Sequence, residues 1–250
     1  MKALLNIYFL ILTFFSISQV NQMDSLGRKH GIWTKNWKGS GQIQYEGEFI
    51  SGNPVGQFRY YYPSGEVRSI IEHVNNRAAY VTFYFKNKEV MSEGFYLDKL
   101  RDSLWLNYNR EGLTLSAERY KNGKLHGKRV VFYLRNQIER GELKILSETS
   151  YKDSLKDGPC RTFFSSEQLK EEGQYKMDLK DGVWKSYSSD GYLVTVTRFK
   201  RGKLHGWVEF YDTSGNRIDR TLYQNGERLN EKRTKAVLES LKRKGLDPND

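Results

Sequence analysis

Three histidines, two pairs of glutamates and one cysteine are the residues of this chain best suited to hold a metal or drive a reaction. His30, His126 and His205 each directly precede the first residue of a recurring segment, a place that Asp157 and Asp181 fill elsewhere. In a stacked array, equivalent positions lie whole units apart, so the three imidazoles do not converge. A site that accepts His or Asp just before a glycine reads as a turn position. Glu171/Glu172 are a pair in sequence only, because strand alternation sends adjacent residues to opposite faces, and both this pair and Glu46/Glu48 fall inside the repeat pattern. Cys160 stands where other segments carry Trp33, Phe58, Trp105, Trp184 and Val208, so it reads as a small core residue. The cysteine and histidines lack zinc spacing, and neither a Gly-rich phosphate loop nor a nucleophile elbow occurs. No catalytic, cofactor-binding or metal residue is assigned, no cofactor is expected, and the sequence argues against an enzyme.

The elements behind these residues are periodic. Segments begin at Gly31, Gly56, Ala79, Ser103, Gly127, Gly158, Gly182 and Gly206, with spacings of 25, 23, 24, 24, 31, 24 and 24 residues. A fixed period in this range marks a repeat architecture whose units share one elongated core. Within a unit, two runs of β-branched and aromatic residues flank a short turn, which carries glycine at Gly65, Gly112, Gly191 and Gly215. This is a β-hairpin signal. The spacing therefore predicts an all-β fold: a single-layer, meandering antiparallel sheet of eight hairpin rungs over residues 31–230.

The sixth position is aromatic at Tyr61, Tyr84, Tyr108, Phe132, Phe163, Tyr187 and Tyr211. The eighteenth is aromatic at Tyr96, Tyr120, Tyr151, Tyr175, Phe199 and Tyr223, with Phe49 one residue late and His73 as a packed ring. Edge-to-edge hairpins place such positions about 9 to 10 Å apart, so the rings form rows that hold the sheet together. With Trp33, Phe58, Trp105 and Trp184 they make the expected core.

Residues 1–18 read as a secretory signal peptide, with Lys2, an apolar run from Ala3 to Ile17, and a small residue before Gln19. The run is short for a span. The expectation is an exported soluble chain, periplasmic or secreted, with residues 19–30 as a lead-in and without a lipid-anchor cysteine. The formal charge is +11 and is spread along the chain, which argues against nucleic acid as the partner. Lys121, Lys124, Lys152, Lys156, Lys176, Lys180, Lys200 and Lys203 all fall in the inter-rung turns, giving a basic edge that could meet an anionic membrane or envelope polymer. Asp153, Asp157, Asp178 and Asp181 share those turns and would partly neutralise it.

Two places break the rhythm. The fifth rung carries seven surplus residues at its hairpin tip, where Arg135, Gln137, Ile138 and Arg140 are the candidates for binding a protein partner. Residues 231–250 follow a helical pattern, with Ala236, Val237, Leu238 and Leu241 among basic residues and Gly245 and Pro248 as stop signals. This reads as a cap on the open end of the array.

The segment from Tyr45 to Gly56, with Glu46-Gly47, Phe49 and Asn53, resembles the MORN repeat. Glu93-Gly94, Glu172-Gly173, Asn122-Gly123 and Gly202 repeat parts of it. The 24-residue period is most similar to bacterial MORN-variant repeats described as YwqK-type antitoxins. The resemblance implies a non-catalytic sheet used for protein association or contact with lipid headgroups, and an antitoxin-like inhibitor as a further alternative.

Overall fold

The computed structural model describes residues 19–134 and 143–249. These form one 19-stranded antiparallel sheet followed by one helix. The strands are β1 (Gln22–Met23), β2 (Lys29–Asn36), β3 (Ile43–Ile50), β4 (Asn53–Tyr61), β5 (Val67–His73), β6 (Ala78–Tyr84), β7 (Val90–Leu97) and β8 (Leu100–Tyr108). They continue as β9 (Thr114–Lys121), β10 (Lys124–Phe132), β11 (Ile145–Lys152), β12 (Leu155–Phe163), β13 (Leu169–Lys176), β14 (Leu179–Tyr187) and β15 (Leu193–Lys200). The array closes with β16 (Lys203–Leu204), β17 (Gly206–Tyr211), β18 (Arg217–Gln224) and β19 (Glu227–Arg228), then α1 (Glu231–Lys244). Each strand pairs with its sequence neighbour, β16 and β17 together taking the place of one strand beside β15, so the eight hairpins stand in chain order as the period predicts.

The two kinds of turn differ. The seven two-residue linking turns, such as Asn122-Gly123 and Asp98-Lys99, have positive φ at both residues. That is the type I′ geometry whose twist matches the strands it joins. Each turn also donates a backbone N–H to the preceding rung, as from Gly123 to Arg101 O at 2.8 Å and from Gly202 to Lys180 O at 2.9 Å. The turns therefore stack into a ladder along one edge.

The first residue of each rung is not in a turn. Gly56, Ser103, Gly127, Gly158 and Gly182 lie inside strands with positive φ, where two extra residues oppose none on the preceding strand. This corrects the turn reading of His126, Asp157 and Asp181, which occupy the residue before a β-bulge. Ala79 is the exception: β5 and β6 pair without a register shift, and the longer link from Val74 to Arg77 replaces the bulge.

Alternation assigns the side chains to two faces. The front carries Trp33, Phe58, Val81, Trp105, Cys160 and Trp184, with the eighteenth-position rings between them. Trp105 contacts Tyr96 and Tyr120 edge-on, Trp184 contacts Tyr175 and Phe199, and Phe58 contacts Phe49 and His73. Phe58, Val81, Trp105, Cys160 and Trp184 are buried, while Trp33, in the end rung, is half-buried. A single layer buries these rings because the preceding rung offers no side chain beneath them. A Cβ on Gly47, Gly94 or Gly173 would stand 2.2–2.5 Å from the ring of Phe58, Trp105 or Trp184. The glycine of each Glu-Gly pair is thus the slot for the next rung's ring.

The sixth-position tyrosines lie on the back face instead. The Tyr61, Tyr108 and Tyr187 hydroxyls donate to Glu46, Glu93 and Glu172, the other half of the same pairs. At the far end α1 packs Val237 and Leu238 against buried Trp207, Leu222 and Leu229 on the back face of rung eight. Asn230 caps its start, and Gly245 caps its end as the sequence's stop signal predicts.

Candidate interaction surface

In rungs one, four, six and seven the residue two before the first position is a cation that sits on the front face over a ring. The Lys180 ammonium lies 3.7 Å from the Trp184 ring centre, and the Arg101 guanidinium 4.2 Å from Trp105. Lys29 lies 4.5 Å from Trp33, and Lys156 4.8 Å from Tyr175. Each such contact is an attraction between a cation and the negative ring face. Trp105 and Trp184 are therefore held between a glycine backbone and a cation.

This divides the eight predicted edge lysines. Lys156 and Lys180 turn onto the front-face rings, and Lys180 also donates to Glu171 at 2.9 Å. Lys121, Lys124, Lys152, Lys176, Lys200 and Lys203 point to the back face and are exposed. Lys121 is directly opposite Lys124, and Lys200 directly opposite Lys203. Like charges so placed repel. Carboxylates of the same turns hold the backbone: Asp102, Asp157 and Asp181 accept the N–H groups of Asn122, Met177 and Arg201, Asp178 accepts that of Lys156, and Asp153 lies 3.6 Å from His126. The sequence reading missed Lys29 and Arg101 because nothing local distinguishes them from edge cations. Their signal is positional, two residues before a rung start.

The front row is interrupted at rung five, where Arg129 takes the tryptophan's place and pairs with Glu118 at 2.8 Å. Burial pushes the Glu118 carboxyl up, but Arg129, Tyr120 and Ser116 outweigh it and hold the group below the ordinary glutamate value. Cys160 contacts the Thr149 hydroxyl at 3.4 Å. His30, His126 and His205 are distributed over rungs one, five and eight, and no group of metal-ligating side chains converges among the described residues. No helix among them is long and apolar enough to cross a membrane. The candidates Arg135, Gln137, Ile138 and Arg140, and the signal segment 1–18, lie outside the described residues.

The open cavities follow the back face. One of about 600 Å³ lies between rung eight and the start of α1, lined by Trp207, Arg220, Leu229 and Thr234. Another of about 490 Å³ crosses rungs six and seven beside Arg161, Gln174 and Lys185. Both are shallow and polar-rimmed, suited to surface contact rather than to enclosing a small molecule.

Comparison with curated proteins returns no match. The family model of the MORN repeat variant matches residues 54–75 and 156–177. Those stretches run from β4 to the turn after β5 and from β12 to the turn after β13, so rungs two and six each match the MORN repeat variant.

Proposed function

We propose that the protein is a non-catalytic binding scaffold that works outside the cytoplasm by protein association. The observation that supports this most directly is the open sheet itself. Its front face is closed by its own rings and cations, whereas its back face is covered by another element at rung eight alone among the described residues. A repeat surface of this kind presents side chains at rung pitch over a long distance, which suits an extended protein contact. The signal-like segment 1–18 supports export, and the fifth-rung tip supplies a further contact.

A second reading has its own observation. Six exposed lysines line the back-face edge over four consecutive rungs. This favours an anionic lipid or envelope polymer. Salt separates the readings, because exposed charge contacts are screened within about 8 Å at physiological ionic strength. Capture from the native envelope fraction should survive raised salt and replacement of Lys121, Lys124, Lys200 and Lys203 by Gln. Loss of capture in both conditions would transfer the function to the lysine edge.

A further inference from the structure

Comparison of one cross-strand pair across the eight rungs isolates a second helix-sized surface. On the back face the second residue of each rung stands opposite the seventeenth: Ile32/Glu48, Gln57/Glu72, Tyr80/Phe95, Leu104/Arg119, Lys128/Ser150, Pro159/Gln174, Val183/Arg198 and Trp207/Leu222. Rungs three and eight alone are apolar on both sides. In rung eight the pair lies under α1, leaving Trp207 9% and Leu222 3% exposed. In rung three no described element covers it. Phe95 is 42% exposed, and next to it stand Leu97, Leu100 and Leu104 at 39%, 48% and 43%. Leu97 pairs directly with Leu100, and the Tyr80 and Phe95 rings meet edge-on at 5.0 Å; Asp102, directly opposite Phe95, stands between Leu100 and Leu104 and accepts the Asn122 backbone N–H.

Its two ends carry opposite charge. Toward β3 and β5 lie Glu48 and Glu72, and toward β9 and β10 lie Arg119, Lys121 and Lys124, none of which forms an ion pair among the described residues. From β5 to β9 is four strand spacings, about 19 Å, which about 13 helical residues span. The chain's own α1 is 14 residues long, acidic in its first turn and basic in its last.

We propose that the back face of rungs three and four is the docking site for an amphipathic helix of a partner protein, laid across the strands. Its acidic first turn meets Arg119 and Lys121 on β9, and its basic last turn meets Glu72 on β5. The proposal rests on the scaffold reading and gives it a place and a partner chemistry.

The probe is a 14-residue amphipathic peptide with a leucine stripe, glutamates in its first turn and lysines in its last. It is titrated into the full chain by fluorescence anisotropy, with its helicity followed by circular dichroism. Saturable binding with gain of helix is expected. Leu104→Lys should weaken it at least tenfold, Glu72→Lys severalfold, and Val183→Lys, exposed but outside the patch, not at all. Unchanged melting temperatures would verify that the variants fold. Absence of binding, or equal binding to the Leu104→Lys variant, overturns the proposal. Self-association that Leu104→Lys abolishes would make a second copy the occupant and overturn it equally. If the peptide fails while envelope capture persists and ignores Leu104→Lys, the helix site falls and the scaffold reading stands.

Discussion

A tryptophan can be buried in a one-layer sheet only if something closes both of its faces. Trp105 has the Gly94 backbone on one side and Arg101 on the other, with Tyr96, Tyr120 and Phe83 around it, and its indole N–H donates to Phe95 O at 3.0 Å. The Gly94→Ala variant puts a carbon 2.5 Å from that ring, closer than any real contact, so the ring must lift or the strands must part. Overpacking of this kind costs about 1–3 kcal/mol. Gly41→Ala, which meets nothing within 4 Å, should leave stability unchanged. Urea midpoints of the two variants check this, and equal midpoints would show the slot to be unnecessary. The ring positions were legible in the sequence because large apolar residues recur at fixed spacing. The cations above them were not, since a lysine two residues before a rung start and one three before differ only in parity across the turn. Parity sends Lys180, two before Gly182, onto Trp184 and leaves Lys203, three before Gly206, exposed on the other face.

At the scale of the element, the linking turns explain both what the sequence announced and what it concealed. Asn122-Gly123 and Asn225-Gly226 are recognisable type I′ pairs. Asp98-Lys99 and Met177-Asp178 are not, yet they adopt the same positive φ values. Their conformation is imposed by the ladder, in which the Asp98 N–H donates to Arg77 O at 2.7 Å and the Asp178 N–H to Lys156 O at 2.9 Å. Residues with a Cβ are strained there by about 1–2 kcal/mol, partly offset by the chain entropy that glycine adds to the unfolded state. Lys99 is exposed at φ 65, so Lys99→Gly should stabilise the fold by about 0.5 kcal/mol. A lowered melting temperature would mean that the Lys99 side chain contributes contacts of its own. The residue before each rung start reads as a turn position because of the glycine that follows it at most rung starts. The left-handed backbone of that glycine serves a bulge, which looks identical in sequence because both geometries select glycine.

Over the whole molecule, each rung's ring depends on the glycine slot of the rung before it and on the turn stacked beside it, and on little further away. Interactions that reach only the nearest neighbour make stability a sum over rungs and their junctions. Deleting residues 182–205 removes one complete unit and joins Asp181 to Gly206, preserving the residue-before-bulge pattern that Asp181-Gly182 and His205-Gly206 share. Every later strand keeps its direction and its faces, Trp207 and Leu222 still receive α1, and Val208 takes the place of Trp184 over the Gly173 slot. Deleting residues 182–193 instead removes one strand, reverses every later strand and exchanges the ends that α1 must reach. The 24-residue deletion should therefore give a shorter cooperative array with near-native strand content by circular dichroism, somewhat less stable for the smaller ring. The twelve-residue deletion should lose the C-terminal rungs to limited proteolysis from the cut onward. Equal melting temperatures and equal protease resistance of the two would show that the hairpin is not the unit of this fold.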